Sequence, residues 1–390
     1  MRIPKAVQTL LLLLTSVVVV LVGSELVVRL FIPQRLVVGS RYLYEVSPTL
    51  GYTLAKNYGG VWDTVEYSTR IQTNSRGLRD HEVGKKGGKT LRILGLGDSF
   101  TFGAGVKLED SYLKVLERAL QRPPLGQSEV EVINAGVSGY GPEHHLQFLK
   151  ENMSSLEPDV VTIGFYVGND VDDRIAKNFY LEDGWLYQQR KRHGIKSLVL
   201  YPVNNVLERH SHAFVFVRTR LDTLLWRVGL RPYYVPEVFR QEYDDHMVQS
   251  WDFTSRTLQD LAALAAQHGA KLLVVIIPTD FQVYPDVWKR YSEIYDLSPE
   301  SIDLSKPQTL LREFGDRFGV QVLDLLPAFK KESARKSLFF PIDGHWNEDG
   351  HRLAGEQIFE FLSTTGWVDH RSGETAGRSA GVRSRSGEPI

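Results

Sequence analysis

The chain has 390 residues, a formal net charge of −1, 42% apolar and 24% charged residues, and no cysteine. This is the balance of a globular protein with enough mass for a full core, and a near-zero charge gives no reason to expect a nucleic-acid partner. The lack of cysteine excludes disulfides, thiolate zinc sites and a thiol nucleophile, but it leaves the compartment open.

Residues 6–23 (AVQTLLLLLTSVVVVLVG) are almost wholly apolar, follow Arg2 and Lys5, and are about long enough to cross a hydrocarbon layer as a helix. Positive residues ahead of the span predict a cytoplasmic N-terminus and a body on the extracytoplasmic, periplasmic side. The alternative is a cleaved signal peptide, with Gly23 and Ser24 as small residues at the cut. A single-pass anchor over residues 1–31 is favoured, because the helical pattern runs on through Glu25 to Phe31 and lacks an A-x-A site. Glu25 and Arg29, one turn apart, should pair.

Residues 32–90 read as a small β-rich preface, with Tyr44, Tyr52, Trp62 and Tyr67 spaced through polar sequence. Residues 67–74 alternate as a strand does, and the turn Asn74-Ser75-Arg76-Gly77 follows. Aromatic residues here are expected to pack rather than to bind substrate.

From Leu91 the rhythm is strand, helix, strand. Leu91, Ile93, Leu94 and Leu96 form an apolar run suited to a strand covered on both faces, and Gly97-Asp98-Ser99-Phe100 follows it into a helix. Such a turn delivers side chains to the carboxyl edge of a parallel sheet. Residues 109–122 carry a helical stripe (Leu113, Val115, Leu116, Leu120) that ends at Pro123-Pro124. A second strand leads to Asn134-Ala135-Gly136-Val137-Ser138-Gly139-Tyr140-Gly141, and Pro142 opens a helix over residues 142–152. A third, VTIGFY, leads to Gly168-Asn169-Asp170.

The pattern is then interrupted by an insertion at about 171–250, rich in aromatic and basic residues, including Tyr233, Tyr234 and the run Arg190-Lys191-Arg192-His193, with helix near residues 212–230. An insertion there can overhang the site as a lid or form an ordinary packed subdomain. The rhythm resumes with helices over residues 252–268 and 309–318, strands over 270–278 and 320–326, and a closing helix over 347–364. Residues 366–390 have no apolar periodicity and are expected to be disordered. The alternation predicts an α/β fold: a three-layer, doubly wound parallel sheet with an N-terminal transmembrane helix and a large insertion.

The four blocks Gly97-Asp98-Ser99-Phe100, Asn134 to Gly141, Gly168-Asn169-Asp170 and Asp343-Gly344-His345-Trp346-Asn347 resemble, in order, those of the GDSL esterases, or SGNH hydrolases, over about residues 91–365. The resemblance implies a flavodoxin-like sheet and a serine esterase with no cofactor. Ser99 would be the nucleophile, His345 the general base and Asp343 its orienting acid, with an oxyanion hole from the backbone N–H groups of Ser99 and Gly139 and the amide of Asn169. In this family the aspartate usually stands three residues before the histidine, and here it stands two before. A dyad with a backbone carbonyl orienting His345 is therefore the alternative.

Asp343, His345, Asp349 and His351 also suggest a metal cluster, but the six-residue gap between the histidines does not place them on one helical face, so no metal is expected. His144 and His145 have no strong claim. The substrate implied by the resemblance and the compartment is an oxygen ester, with acylated carbohydrate the first choice and an O-acetyl group its target. Polysaccharide O-acetyl transfer through the same acyl-enzyme is the close variant. A non-catalytic flavodoxin-like or glycan-binding module is the competing reading, and it leaves the DGHWN stretch unexplained.

Overall fold

A computed structural model of the chain describes residues 4–34, 36, 40–64, 66–122, 129–171, 179–182, 184–188, 203, 206–227, 237–295 and 297–368. The expected stop at Pro123-Pro124, the basic run from Arg190, Tyr233, Tyr234 and the tail beyond Val368 lie outside these residues.

Two antiparallel hairpins follow the N-terminal helix: β1 (Tyr44–Ser47) with β2 (Gly51–Leu54), and β3 (Gly59–Asp63) with β4 (Ser68–Gln72). The central sheet is built from β5 (Leu91–Gly97), β6 (Val130–Asn134), β7 (Val160–Tyr166), β10 (Lys271–Ile277) and β11 (Gln321–Asp324), in the order β6-β5-β7-β10-β11. All its pairings are parallel. Between them, β8 (Phe179–Glu182) and β9 (Trp185–Gln188) form a hairpin in the inserted region.

The pleat of β10 explains the layers. Leu272, Val274 and Ile276 face one core, covered by the helices Pro142–Leu156, Asp245–Gln267 and Lys306–Phe318. Leu273, Val275 and Ile277 face the other, under Tyr112–Leu120, Leu326–Ser333 and Glu348–Thr364. A strand buried on both faces reads as a continuous apolar run, which is why these strands were visible in sequence. The fold is the expected three-layer doubly wound sheet, and the strand order reverses between β5 and β7, where such folds place ligands.

Helix boundaries differ from the sequence reading where caps lie in polar sequence. The helix expected over residues 252–268 begins at Asp245, because the Asp244 carboxylate accepts the Met247 N–H at 2.8 Å. The segment expected to be helical from residue 109 opens as a 3₁₀ turn, Leu108–Asp110, and the α-helix starts at Tyr112. The helix Pro285–Ile294 was not anticipated.

The N-terminal helix Lys5–Phe31 spans 27 residues and has no buried residue in its most apolar stretch. It is long and apolar enough to cross a membrane or to be a signal sequence. Glu25 and Arg29 pair at 2.9 Å. The same carboxylate accepts from the Ser211 hydroxyl at 2.8 Å and the Ala213 N–H at 3.0 Å, capping the helix His212–Arg227 from outside its own segment.

The loop after β6 lies directly on the short helix Ser99–Phe102. A Cβ placed on Gly136 would stand 2.2 Å from the Phe102 nitrogen and 2.5 Å from the Thr101 carbonyl carbon. Both are backbone atoms that cannot move aside cheaply. Gly136→Ala should therefore destabilise the protein by about 1–3 kcal/mol and lower its melting temperature by about 3–8 °C. Gly88→Ala, where nothing lies within 4 Å, should leave it unchanged. Thermal unfolding of the detergent-solubilised chain checks both; equal melting of Gly136→Ala and wild type would contradict the contact.

Candidate active site

Three strand ends and one late loop build the site. Gly97 closes β5, and Asp98, fully buried, caps the helix Ser99–Phe102 by accepting the Phe100 N–H at 2.9 Å. Ser99 is thus the first helical residue. The carbonyls at the other end of this short helix are held by the buried Arg79, which donates to Phe102 at 2.7 Å, Gly103 at 2.6 Å and Val106 at 2.6 Å. Burial lowers the Arg79 guanidinium to about 10, which still leaves it charged at neutral pH.

His345 arrives from the loop before the helix Glu348–Thr364. Its Nε2 lies 2.7 Å from Ser99 Oγ, and its Nδ1 is hydrogen-bonded to Asp343 Oδ1. With Nδ1–H donated to the carboxylate, Nε2 is left to accept the serine hydroxyl proton. The two-residue spacing therefore does not prevent the carboxylate from reaching the imidazole. It does so from a turn rather than an extended strand: the Gly344 N–H donates to the Phe340 carbonyl at 2.9 Å and Gly344 has φ +83°.

Asn169 follows β7 in a tight turn, its N–H donating to the Tyr166 carbonyl at 3.2 Å. Its side-chain amide donates to Asp98 Oδ2 at 3.3 Å, which puts it beside the Ser99 turn. Gly139 lies in the loop after β6 with φ +82°, a left-handed conformation that disfavours any side chain. Among the described residues the backbone N–H groups of Ser99 and Gly139 donate to no protein acceptor. His351 is remote in role: it is fully buried, stacks on Tyr112, and burial holds its imidazole down at about 3. His145 is likewise buried and held down at about 3.

The electrostatics raise the proton affinity of the imidazole. Burial opposes charge on His345, but Asp343 beside it, and Asp98 behind it, hold its pKa above the ordinary histidine value. Burial alone would raise Asp343; the facing His345 and the hydrogen bonds it receives bring it below the usual carboxylate range. Asp98 is pushed up to about 6 by burial, and Asp170 is driven well above its ordinary value by burial and by the charge of Asp98.

Sequence reading missed Glu66 and Tyr67. The Tyr67 hydroxyl donates to Asp343 Oδ2 at 3.1 Å, and Glu66 accepts the Ile342 N–H at 3.0 Å. The pairing joins residues 276 apart, so no local pattern could have signalled it.

The model of the GDSL-like Lipase/Acylhydrolase family matches residues 96–353 of the chain. No curated protein matches the sequence. Among solved structures, the chain is similar to the acetyl xylan esterase AlAXEase, at 13% identity over 70% of this chain and 99% of that one, with a TM-score of 0.40. It is similar to a two-domain esterase active on acetylated mannans, at 15% identity over 71% of this chain and 50% of that one, TM-score 0.39. It also resembles the psychrotrophic esterase EstA from Pseudoalteromonas sp., at 14% identity over 71% and 98%, TM-score 0.35.

His345 should titrate above 6.5, and Asp343→Asn should move that titration down, because the charge that favours the imidazolium is gone while burial still opposes it. Resonances of ¹⁵N-histidine-labelled protein followed against pH check this. A titration unmoved by Asp343→Asn would contradict the coupling.

Proposed function

The chain belongs to the GDSL-like lipase/acylhydrolase family and is an ester-hydrolysing enzyme; from that premise we propose that it is a membrane-anchored serine esterase that uses Ser99, His345 and Asp343 on O-acetyl groups of carbohydrate outside the cytoplasm. The observation that carries the mechanism is the 2.7 Å contact between Ser99 Oγ and His345 Nε2, continued from Nδ1 to Asp343.

In the first step His345 Nε2 takes the Ser99 proton as Oγ attacks the ester carbonyl. The imidazolium formed is stabilised by Asp343, which fixes its tautomer and stays ionised. The carbonyl oxygen, now negative, is received by the N–H groups of Ser99 and Gly139 and by Asn169 Nδ2, an uncharged donor whose second hydrogen is not used by Asp98. Collapse expels the alcohol, protonated by His345, and leaves the acyl group on Ser99. Water then repeats the sequence, with His345 as base, to release the acid. A sugar hydroxyl in place of water at this second stage would give acyl transfer.

The support for the anchor is the helix Lys5–Phe31, which continues without a break past Gly23, and the support for an extracytoplasmic body is the pair of basic residues Arg2 and Lys5 at its start. The carbohydrate O-acetyl substrate is drawn from the family and from that compartment.

Hydrolysis of p-nitrophenyl acetate by the full chain in detergent tests the mechanism. Ser99→Ala and His345→Ala should each lose about 10³-fold or more in kcat, and Asn169→Ala about 10²-fold with little change in KM. Activity retained in Ser99→Ala would sink the serine mechanism. Acetate release from acetylated polysaccharide, compared with and without an added sugar acceptor, separates hydrolysis from transfer; transfer predicts product on the acceptor and little free acetate.

A further inference from the structure

Asp343 is held from outside its own loop. The turn over residues 340–345 closes on two backbone bonds, Phe340 N–H to the His345 carbonyl at 2.8 Å and Gly344 N–H to the Phe340 carbonyl at 2.9 Å. These leave the amides of Ile342 and Asp343 pointing outwards. One carboxylate takes both: Glu66 Oε1 accepts from Ile342 at 3.0 Å, and Oε2 accepts from Asp343 at 2.5 Å. The next residue, Tyr67, donates its hydroxyl to Asp343 Oδ2 at 3.1 Å, and its ring packs against Phe340 with centroids 5.0 Å apart. Asp343 Oδ1 is then the oxygen left for His345.

The arrangement costs something. Burial, and to a lesser extent the charge of Asp343, raise the Glu66 carboxyl above its ordinary value against the two amide bonds it accepts. A carboxylate placed there for packing alone would gain nothing from the repulsion, whereas one that anchors two amides gains a charge-assisted pair of bonds. Tyr67 has a comparable signature: an aromatic side chain that packs well at this position needs no hydroxyl, yet its hydroxyl is spent on the second oxygen of Asp343.

The geometry points to Glu66 and Tyr67 as positioning residues for the ester-cleaving reaction: Glu66 shapes the turn that presents Asp343, and Tyr67 fixes the rotation of its carboxylate so that Oδ1 faces His345. The two together supply the geometry that the two-residue spacing between Asp343 and His345 does not supply by itself. The inference rests on the Ser99–His345–Asp343 reading above.

The test is a double-mutant comparison on the full chain, with the rate of fluorophosphonate labelling of Ser99 as the readout in slow variants and p-nitrophenyl acetate kinetics in fast ones. Tyr67→Phe keeps the ring contact and removes only the hydroxyl. It should lower kcat and the labelling rate by about 10-fold, with KM within about twofold of wild type and melting unchanged. In an Asp343→Ala background the same substitution should change the labelling rate less than about twofold, because its target is gone. Glu66→Gln, which keeps one acceptor oxygen, should fall between wild type and Glu66→Ala, and its effect should also vanish in Asp343→Ala. A Tyr67→Phe variant indistinguishable from wild type, or one that loses the same factor in both backgrounds, overturns the proposal in favour of packing. If Asp343→Ala alone retains wild-type labelling, the triad reading itself has failed, and that variant reports it separately.

Discussion

The contact between Ser99 and His345 joins residues 246 apart, and it forms only when the whole sheet is in place. β5 delivers the serine near the middle of the sheet, and the histidine comes from the last loop before the final helix. What fixes that loop is its neighbour. Trp346 is fully buried, with its ring 5.1 Å from Phe100 and 4.9 Å from Phe329. The following residue, Asn347, caps the closing helix by accepting the N–H groups of Asp349 at 3.0 Å and Gly350 at 3.1 Å. His345 is therefore tied on its C-terminal side to a core side chain and a helix cap. An imidazole proposed as a general base must be held within a fraction of an ångström of its partner, and the apolar core holds this one through Trp346.

Charge behind the serine is managed by burial. Asp98 and Asp170 lie close enough to influence each other, and two carboxylates in one low-dielectric site do not both ionise easily. Burial and the charge of Asp98 hold Asp170 well above its ordinary value, so the negative charge of the pair is favoured on Asp98. That charge raises the proton affinity of His345, as Asp343 does. In the mechanism proposed above, the imidazole becomes positive during acylation while the substrate oxygen becomes negative, so a negative group on the imidazole side and neutral donors on the oxygen side would match both developing charges. Asn169 meets the second condition because its donor carries no charge of its own to be screened or neutralised. Its Oδ1, buried without a partner among the described residues, leaves the amide oriented only through Nδ2 and Asp98.

The elements legible in the sequence were those defined by local physics. Mostly apolar runs gave the strands, because strands buried on both faces carry few polar residues to break the run. Ser99 and Asn169 were legible in place because each follows a strand end and must lie where that strand puts it, whereas the block of His345 lies in a loop and showed no position by itself. Helix starts were less legible. Asp245, His246 and Gln249 look polar along the chain, and only the cap at Asp244 shows that the helix Asp245–Gln267 has already begun there. Least legible were contacts with no local consequence. Arg79 reads as an ordinary charged residue after Gly77-Leu78, yet it is 1% exposed and holds three carbonyls of the Ser99 turn. Tyr67 reads as a strand aromatic expected to pack, and it does pack against Phe340 while its hydroxyl reaches Asp343. Side-chain periodicity reports which face is buried; it carries no information on what a buried polar tip touches.

The residues between the N-terminal helix and β5 touch three loops of the site, those of Ser99, Gly139 and Asp343. Arg79 and Thr69, the latter donating to the Gly105 carbonyl at 2.8 Å, hold the Ser99 turn. Tyr52 donates to the Ser138 carbonyl at 2.9 Å, next to Gly139. Glu66 and Tyr67 reach the loop of Asp343. The apolar side chains of the same segment, Leu43, Leu54 and Ile71, share one core with Phe102, Val137 and Tyr140 from the site loops. Loops at the carboxyl edge of a parallel sheet have no strand beyond them to pack against, and this segment supplies the missing wall. It is also the stretch through which the N-terminal helix joins the body.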